Sequence, residues 1–306
     1  MADERSYGSP AAFRRALTDK LKTAAETSRW TLPQLQRQMA YDRLLERLYL
    51  VDEGWIVKGA TALLARDMGV RATIDIDVYR AADADLAERE VRDAAARDIG
   101  DWFRFEIGPA HAVRNAGDGA RLPAKAYVGT TVWAQFHVDL VGSDVNMTGE
   151  PEDVPALARV VMPDVEQHGY RAYPLVDHVA DKVAATFDRY GDTEAPSTRY
   201  KDLVDLVAIA TEGSIEAEAQ MAALASEAAR RRIRLPQQFA VPAPELWERG
   251  YAAEAGRSLL PVARSLEEAL ALVGPFLNPL LDGTATGTWD PKRGLWAPQP
   301  ASPATD

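Results

Sequence analysis

The sequence of 306 residues contains no cysteine, so disulfide bonds and zinc sites built on thiolates are excluded. It also contains no apolar run that is long enough to span a membrane. Residues 1–5 lack the basic and then apolar layout with which a signal peptide begins. We therefore expect a cytoplasmic protein that does not associate with membranes.

Histidine is scarce, and the spacing of the histidines disfavours one class of metal site. The four histidines are His111, His137, His168 and His178. They show no ligand spacing, such as two histidines four residues apart around a helical glutamate. A histidine-based metal site is therefore not expected.

An excess of basic residues is also missing, since the formal net charge is −11 at pH 7. This charge argues against a protein that coats nucleic acid, because phosphate binding relies on clustered lysine and arginine. One dense basic cluster is present, Arg230–Arg232 together with Arg234. Two interpretations of it are open: cations at a helix C-terminus, which the helix dipole favours, or a local contact to RNA.

The composition is that of a soluble globular protein, with 47% hydrophobic and 26% charged residues. Thr31 followed by Gln34 forms a capping-box pattern, which predicts a helix in the first fifty residues. Strand-like and helical runs alternate over residues 50–145, with a turn predicted at Asn115–Gly119. Past Tyr170 the apolar spacing becomes helical. We therefore predict an α+β fold, with a mixed sheet and helices followed by a mostly helical region.

This pattern divides the chain into three predicted parts. N-terminal helices and the α/β core occupy residues 1–165, and a helical domain occupies residues 166–282. The tail, residues 283–306, is rich in glycine, proline and threonine, so we expect it to be poorly ordered. Within this tail, Trp289 and Trp296 offer side chains for docking on the body.

The segment Thr73–Tyr79 alternates polar and apolar residues, which predicts a half-buried strand. Period-two geometry places Asp75 and Asp77 on one face and Ile74, Ile76 and Val78 on the other. Paired carboxylates suit Mg²⁺, which takes carboxylate and phosphate oxygens, as nucleotidyl transfer requires. On its own, however, an Asp-x-Asp pair is more typical of a polar, solvent-facing strand than of a metal site.

Three further features favour the metal interpretation. Lys58-Gly59 follows a short strand, so backbone amides and Thr61 of the next helix would approach a phosphate. Asp139 lies in a second alternating strand and would add a third carboxylate to the same face. The order of the pieces is more informative than any single motif: strand, glycine turn, helix, Asp-x-Asp strand, and then a strand with one aspartate.

Two separated segments resemble a known family. The first comprises Lys58-Gly59-Ala60-Thr61-Ala62-Leu63 and Arg71-Ala72-Thr73-Ile74-Asp75-Ile76-Asp77. The second comprises Asp181-Lys182-Val183-Ala184-Ala185, Arg189 and Arg199-Tyr200-Lys201-Asp202-Leu203-Val204-Asp205-Leu206. Together they resemble the motifs of the AbiEii/MenT nucleotidyltransferase toxins of the DNA polymerase β-like superfamily. The resemblance implies that superfamily's nucleotidyltransferase core.

The resemblance also implies site residues. Asp75 and Asp77 would bind the metal, with Asp139 optional, and Lys182 and Asp202 would be catalytic, with Asp205 nearby. The nucleotide-binding residues would be Lys58, Gly59, Thr61, Arg71, Thr73 and Arg189. Lys182 and Arg189 are expected on one side of a shared helix. Ala60 replaces a family glycine, which would matter if that position needs a positive φ.

The resemblance implies an activity that transfers a nucleotide from a nucleoside triphosphate to an RNA acceptor, with tRNA as the expected acceptor. This modification would block translation. Mg²⁺ or Mn²⁺ would be the cofactor, and an antitoxin protein would be the partner. Two alternatives stay open. One is transfer onto protein, including onto Thr73 of this chain, and the other is a non-catalytic nucleotide-binding module.

Overall fold

The structure is a computed structural model, and it describes residues 6–112, 119–141, 145, 147–191 and 194–298. The chain divides into two compact units. The first comprises Met1–Arg66, Ala72–Val145 and Pro151–Ala172, and the second comprises Asp67–Arg71, Asn146–Glu150 and Tyr173–Asp306, each in its described residues. The turn predicted at Asn115–Gly119 lies, apart from its last residue, outside the described ranges.

The first unit combines helices with a sheet. Its helices are α1 (Pro10–Thr27), α2 (Leu32–Tyr49), α3 (Gly59–Ala65) and α4 (Ala84–Ala96). Its strands are β1 (Ile56–Lys58), β2 (Asp75–Tyr79), β3 (Phe103–Ile107), β4 (His111–Ala112), β5 (Ala120–Val128), β6 (Thr131–Val141), β7 (Glu152–Val154) and β8 (Tyr170–Ala172). The capping box predicted at Thr31 and Gln34 is present at the start of α2.

The strands form one mixed sheet in the order β3-β5-β6-β2-β1-β8-β7, and β4 pairs with β5. Strand β2 runs parallel to β6 and antiparallel to β1, while β1 runs parallel to β8. One face of β3, β5 and β6 is apolar at alternate positions and is buried, and helices α1, α2 and α4 contact this part of the sheet. The opposite positions are mostly polar or charged, with Pro123, Val132 and Val141 as exceptions.

The second unit is mostly helical. Its helices are α5 (Leu175–Phe187), α6 (Tyr200–Glu212), α7 (Ala217–Arg231), α8 (Pro244–Ala255) and α9 (Leu266–Leu281). Its strands form two short hairpins: β9 (Arg189–Tyr190) with β10 (Ala195–Pro196), and β11 (Thr288–Asp290) with β12 (Leu295–Ala297). The predicted fold class, a mixed sheet with helices followed by a mostly helical region, is confirmed.

The C-terminal segment corrects the expectation of a poorly ordered tail. Strands β11 and β12 pair, and Trp289 is buried against Phe276 and Trp296, with ring centroids 5.0 and 5.5 Å away. The indole of Trp289 also donates to the carbonyl of Ala210 at 2.7 Å. Two buried aromatic contacts therefore outweigh a composition that favours disorder. Residues 299–306 of the predicted tail lie outside the described residues.

Helix α8 lies in the predicted helical domain, but it was not predicted as a separate helix, because a proline-rich stretch leads into it. It begins at Pro244, which is tolerated in the first turn, and it buries Trp247 and Tyr251 four residues apart. None of the helices in the described part of the chain is both long and apolar enough to cross a membrane.

Candidate active site

Strand β2 presents two carboxylates on one face of the sheet. Asp75 and Asp77 are partly exposed, while Ile76 and Val78, which point the other way, are buried in the core. This is the predicted alternation. It does not extend to Ile74, which precedes the strand and is 54% exposed, so the prediction that Ile74 packs against the core is wrong.

Parallel pairing with β6 brings two further polar residues to the same face. Asp77 lies opposite Asp139, and Asp75 lies opposite His137. The imidazole Nδ1 of His137 lies 3.0 Å from Oδ1 of Asp75. Neighbouring strands are about 4.8 Å apart, so three carboxylates are clustered at this point of the sheet. Such a cluster needs positive charge beside it, because like charges at this spacing repel.

Arg121 of β5 supplies part of that charge. Its guanidinium donates to Oδ1 and Oδ2 of Asp139 at 2.7 and 2.6 Å, and Nη2 lies 3.6 Å from Oδ2 of Asp75. Hydrogen bonding to Asp139 raises the pKa of Arg121 further above its ordinary value, so this side chain remains charged. Both carboxylate oxygens of Asp139 are thereby engaged by an arginine.

The glycine turn contacts the second aspartate directly. Gly59 has a φ of +58°, and a Cβ built on it would lie 1.9 Å from Oδ2 of Asp77. Only glycine fits there, for both its conformation and its space. Lys58, the N-cap of α3, is buried and lies opposite Asp77 in the β1–β2 register. The strand and the turn are therefore closely fitted.

The substitution of Ala60 for the family's second glycine does not strain this turn. Ala60 is the second residue of α3 and is not among the residues with positive φ. Its methyl group is buried within the unit. Of Gly59 and Ala60, only Gly59 has a positive φ.

Two threonine hydroxyls hold the backbone of Asp75 in place. Thr61 donates to the carbonyl oxygen of Asp75 at 3.3 Å, and Thr73 donates to the same oxygen at 3.0 Å. Thr73 also accepts from the amide of Asp75 at 3.1 Å. Both threonines are buried. Their hydroxyls therefore position the carboxylate strand, a role that the sequence did not predict.

Tyr41 of α2 extends this support. Its hydroxyl donates to the carbonyl oxygen of Thr73 at 3.1 Å. Burial raises the pKa of Tyr41, and the nearby carboxylates of Asp75 and Asp77 add to the effect, although Arg37 acts in the opposite direction. The phenol therefore stays protonated and keeps donating, which fixes the loop that leads into β2.

In the second unit, Lys182 lies at the centre of a buried ion cluster. Its ammonium donates to Asp205 at 2.6 Å and to Asp202 at 3.3 Å, and Arg199 also donates to Asp202. Burial alone would lower the pKa of Lys182, but Asp205 and Asp202 outweigh it, so the pKa is raised. Burial would raise the pKa of Asp202, but Lys182 and Arg199 lower it below the ordinary range.

Arg189 does not share the helix of Lys182, so the prediction that both face one side of it is wrong. Helix α5 ends at Phe187 because Asp188, its C-cap, takes the extended conformation. Arg189 therefore lies in β9, where its side chain is exposed and donates to the carbonyl of Glu194. Arg71 lies in the segment Asp67–Arg71 of the second unit and is partly buried.

The basic run at the end of α7 is engaged with its own neighbours. Arg230 and Arg231 both donate to the buried Glu227 one turn earlier, and Arg231 also donates to Asp188 at 3.1 Å. This arrangement favours the interpretation as cations at a helix C-terminus.

Most of the sequence matches the model of one known family. The model of the family described as "Nucleotidyl transferase AbiEii toxin, Type IV TA system" matches residues 43–272, which is most of the chain. The chain belongs to the AbiEii nucleotidyltransferase toxin family. It is therefore a nucleotidyltransferase of a toxin family, and the predicted membership and enzyme class are confirmed.

The chain is also similar to solved structures. MenT4, a nucleotidyltransferase toxin from Mycobacterium tuberculosis H37Rv, shares 16% identity with a TM-score of 0.47, covering 68% of each chain. JHP933 from Helicobacter pylori shares 17% identity with a TM-score of 0.44, covering 80% of this chain and 92% of that one. No curated protein matches the sequence significantly.

We call Asp75, Asp77 and Asp139, with His137 and Arg121 beside them, the carboxylate centre; His137 and Arg121 were not predicted as part of it. His137 precedes Asp139 by two residues in an alternating strand, so its face was open to prediction. Arg121 had no comparable signal, since its place depends on which strands pair. Among the residues that the structure describes, no group of three or more histidine, aspartate or glutamate side chains is arranged to hold a metal ion.

Proposed function

We propose that this AbiEii-family chain transfers a nucleotide from a nucleoside triphosphate to tRNA in a metal-dependent reaction, and that the modified tRNA no longer supports translation. The observation that carries the proposal is the fit of the glycine turn against the carboxylate strand. Gly59 leaves no space between its backbone and the carboxylate of Asp77. A triphosphate held at this turn would therefore lie beside the carboxylates.

The residues present fit a divalent cation held by two carboxylates. Asp75 and Asp77 offer hard oxygen ligands on one face of β2, which suits Mg²⁺ or Mn²⁺. Mg²⁺ is commonly bound by one or two carboxylates together with substrate phosphates. Asp139 is bound by Arg121 through both of its oxygens, so only Asp75 and Asp77 remain as carboxylate ligands. We infer that phosphate oxygens complete the coordination and that the cation therefore enters together with the triphosphate. When bound, it would polarise the phosphate under attack.

Each protein group has a defined task in this proposal. The backbone of the Lys58–Gly59 turn, at the start of α3, would bind phosphate oxygens, since helix N-termini bind anions. Thr61 and Thr73 hold Asp75 through its backbone. Lys182 and Asp202 are assigned to the reaction by their match to the second family motif: the lysine to phosphate, the carboxylate to the acceptor hydroxyl.

The family also implies partners and a compartment. A toxin of a toxin–antitoxin system acts with a cognate antitoxin protein, and nucleotidyl transfer needs a nucleoside triphosphate as substrate. Transfer to tRNA would take place in the cytoplasm. We propose all three for this chain.

The experiment incubates the protein with Mg²⁺, each α-labelled nucleoside triphosphate in turn, and total tRNA. We expect label in tRNA, and its loss when EDTA removes the metal. Asp75→Asn and Asp77→Asn should each lower the rate at least about a hundredfold, because several kcal/mol of charge stabilisation depends on the metal. Asp153→Asn, an exposed strand aspartate in β7, is the matched control and should leave the rate unchanged.

The other outcomes separate the alternatives. Label on the protein instead of tRNA would indicate transfer onto protein, and mass spectrometry of the labelled peptide would show whether Thr73 carries it. Binding of the triphosphate with no transfer to either acceptor, unchanged by Asp75→Asn, would indicate a non-catalytic nucleotide-binding module. Transfer that continues undiminished in EDTA would contradict metal dependence.

A further inference from the structure

The polar face of the sheet continues beyond the carboxylates. On β5, Lys125 follows Arg121 on the same face and is exposed. Its partner across the β5–β6 register is Gln135, which is also exposed. Tyr127 comes next on β5, and Arg104 of β3 lies opposite it. We call Arg104, Lys125, Tyr127 and Gln135 the sheet platform.

Within the platform, a cation and an aromatic ring are stacked. The guanidinium of Arg104 lies 4.2 Å from the ring centroid of Tyr127. Glu106 holds both groups in place, accepting from Arg104 and from the Tyr127 hydroxyl, each at 2.6 Å. Half of the Arg104 side chain is exposed to solvent. A guanidinium fixed in this way offers a flat surface on which a nucleobase stacks.

A basic groove lies beyond the end of the platform, where the β5–β6 turn meets helix α1, which packs on the opposite, buried face of the sheet. Its volume is about 530 Å³, and it is formed by the first turns of α1 and by the β5–β6 turn that follows Tyr127. We call it the basic groove, and its cations are Arg14, Arg15 and Lys22. Arg14 is anchored to the carbonyls of Thr131 and Val132, while Arg15 and Lys22 are exposed.

The charge of this surface is opposite to that of the chain. The platform and the groove carry five cations, Arg14, Arg15, Lys22, Arg104 and Lys125, against two neighbouring carboxylates, Asp19 and Glu106. The chain as a whole has a net charge of −11. A local excess of positive charge on an acidic protein favours a polyanion at this place.

We propose that the RNA acceptor crosses the β5–β6 turn, with its backbone in the basic groove on the α1 side of the sheet and a base on the Arg104–Tyr127 stack on the polar face. The inference rests on the proposed function. Along β6, from Val132 beside Tyr127 to His137 beside Asp75, five residues span roughly 16 Å. A few nucleotides of single-stranded RNA bridge that distance and bring the acceptor end to the carboxylates.

The chemistry of the surface distinguishes RNA from other occupants. Stacking groups beside cations bind exposed bases and phosphates together, which is the combination used for single-stranded nucleic acid. The platform positions are polar or aromatic. A protein partner of an ordinary interface would call for a more apolar centre.

The test measures binding of fluorescently labelled total tRNA to the full chain by anisotropy over a series of salt concentrations. The double variant Arg15→Ala/Lys22→Ala should raise Kd roughly tenfold at 150 mM salt and reduce the salt slope by about 1.4, since each phosphate contact contributes about 0.7 for a single strand. The matched control is Lys292→Ala/Arg293→Ala, which removes the same charge from exposed positions of the second unit. It should bind as the parent does.

Arg104→Lys and Arg104→Ala separate stacking from charge. Both lose the planar guanidinium, so both should weaken binding about fivefold or more, and Arg104→Lys should keep the parent's salt slope. Binding of labelled triphosphate without RNA should be unchanged in every variant, which also shows that the variants are folded.

The failures are distinguishable. If the parent labels tRNA but the groove variant and its control bind tRNA equally, this surface is refuted and the proposed function stands. If the parent neither binds nor labels tRNA, the proposed acceptor is wrong, and the proposed occupant of the surface fails with it.

Discussion

Arg121 of β5 binds both carboxylate oxygens of Asp139 on the adjacent strand, at 2.7 and 2.6 Å, and lies 3.6 Å from the carboxylate of Asp75. A fixed positive charge is therefore built into a centre that is also suited to bind a cation. The arginine balances the charge of the carboxylates and binds both oxygens of Asp139, so Asp75 and Asp77 remain as ligands for the proposed metal.

Replacement of Arg121 by glutamine tests whether the arginine offsets the repulsion among the three carboxylates. Without the guanidinium, Asp75, Asp77 and Asp139 repel one another, so the ligand-free variant should lose about 1 kcal/mol of unfolding free energy, a value that allows for solvent screening of a half-exposed arginine. Mg²⁺ should then stabilise the variant more than the parent, as measured by the shift in Tm. Arg104→Gln, an arginine paired with a carboxylate on the same sheet face, is the control and should show no added response. Equal Mg²⁺ shifts in parent and Arg121→Gln would contradict this account.

The two residues of the turn should behave in opposite ways. Gly59→Ala places a methyl group against Asp77 and strains a positive φ, so the rate should fall at least about tenfold, while the second unit is unaffected. Ala60→Gly restores the family's second glycine at a helical position and should cost up to about 1 kcal/mol of stability without loss of rate. Rates and Tm of both variants check this. A fully active Gly59→Ala would remove the turn from the proposed site.

Thr73→Val should test whether the hydroxyl of Thr73 positions Asp75. The variant loses the hydrogen bonds to the backbone of Asp75, which costs about 1 kcal/mol, and the looser carboxylate should lower the rate of transfer. Thr73→Ser keeps the hydroxyl and should restore both properties. The measurement is the rate of tRNA labelling alongside unfolding by urea. If Thr73→Val reacts as fast as the parent, the hydroxyl has no positioning role.

Lys182→Met should strongly destabilise the chain. It leaves Asp205 buried without its cation, and Arg199 remains only for Asp202. Breaking a buried pair in this way costs about 3–5 kcal/mol. Lys182→Arg keeps the charge and should retain more stability, so it is the better variant for measuring the rate. Urea unfolding of both variants tests the expectation, and a loss for Lys182→Met no greater than that of a surface lysine would contradict it.

The same cluster predicts a dependence of stability on pH. The folded pKa of Lys182 is raised, so its contribution is fully present below the ordinary lysine pKa and is lost as the pH rises through the raised value. The folded pKa of Asp202 is lowered, so its contribution is present above the ordinary carboxyl pKa and is lost as the pH falls through the lowered value. The cluster should therefore stabilise the parent across the neutral range. The free energy of unfolding, measured over a range of pH, should fall at alkaline pH in the parent, and this contribution to the fall should be absent in Lys182→Met.

Much of the carboxylate centre was predictable because it depends on local sequence. Alternation over Thr73–Tyr79 places Asp75 and Asp77 on one face, and Lys58-Gly59 indicates a turn by composition alone. Arg121 was not predictable, because its contact with Asp139 arises from pairing between β5 and β6. Ile74 does not follow the alternation, because the strand was predicted from Thr73 but begins at Asp75, the residue after Ile74.

The second unit shows where periodicity stops being informative. The helical spacing predicted past Tyr170 is present in α5, but the pattern could not show that Asp188 ends the helix and that Arg189 lies in β9. The pattern also could not show that the ammonium of Lys182 lies between Asp202 and Asp205, because that contact depends on how α5 packs against α6. Helix α8 follows a proline-rich stretch, and its few buried aromatic residues gave too weak a period to predict it.

The docking of Trp289 changes how the chain should be shortened. A chain that ends after helix α9 would remove a buried indole from the second unit, leaving Phe276 uncovered and the carbonyl of Ala210 without its donor. Loss of one buried tryptophan costs about 3–5 kcal/mol, a large part of the stability of a typical domain. A tag fused directly after Asp282 would replace part of the hydrophobic core, whereas one fused after Pro298 would follow an intact hairpin.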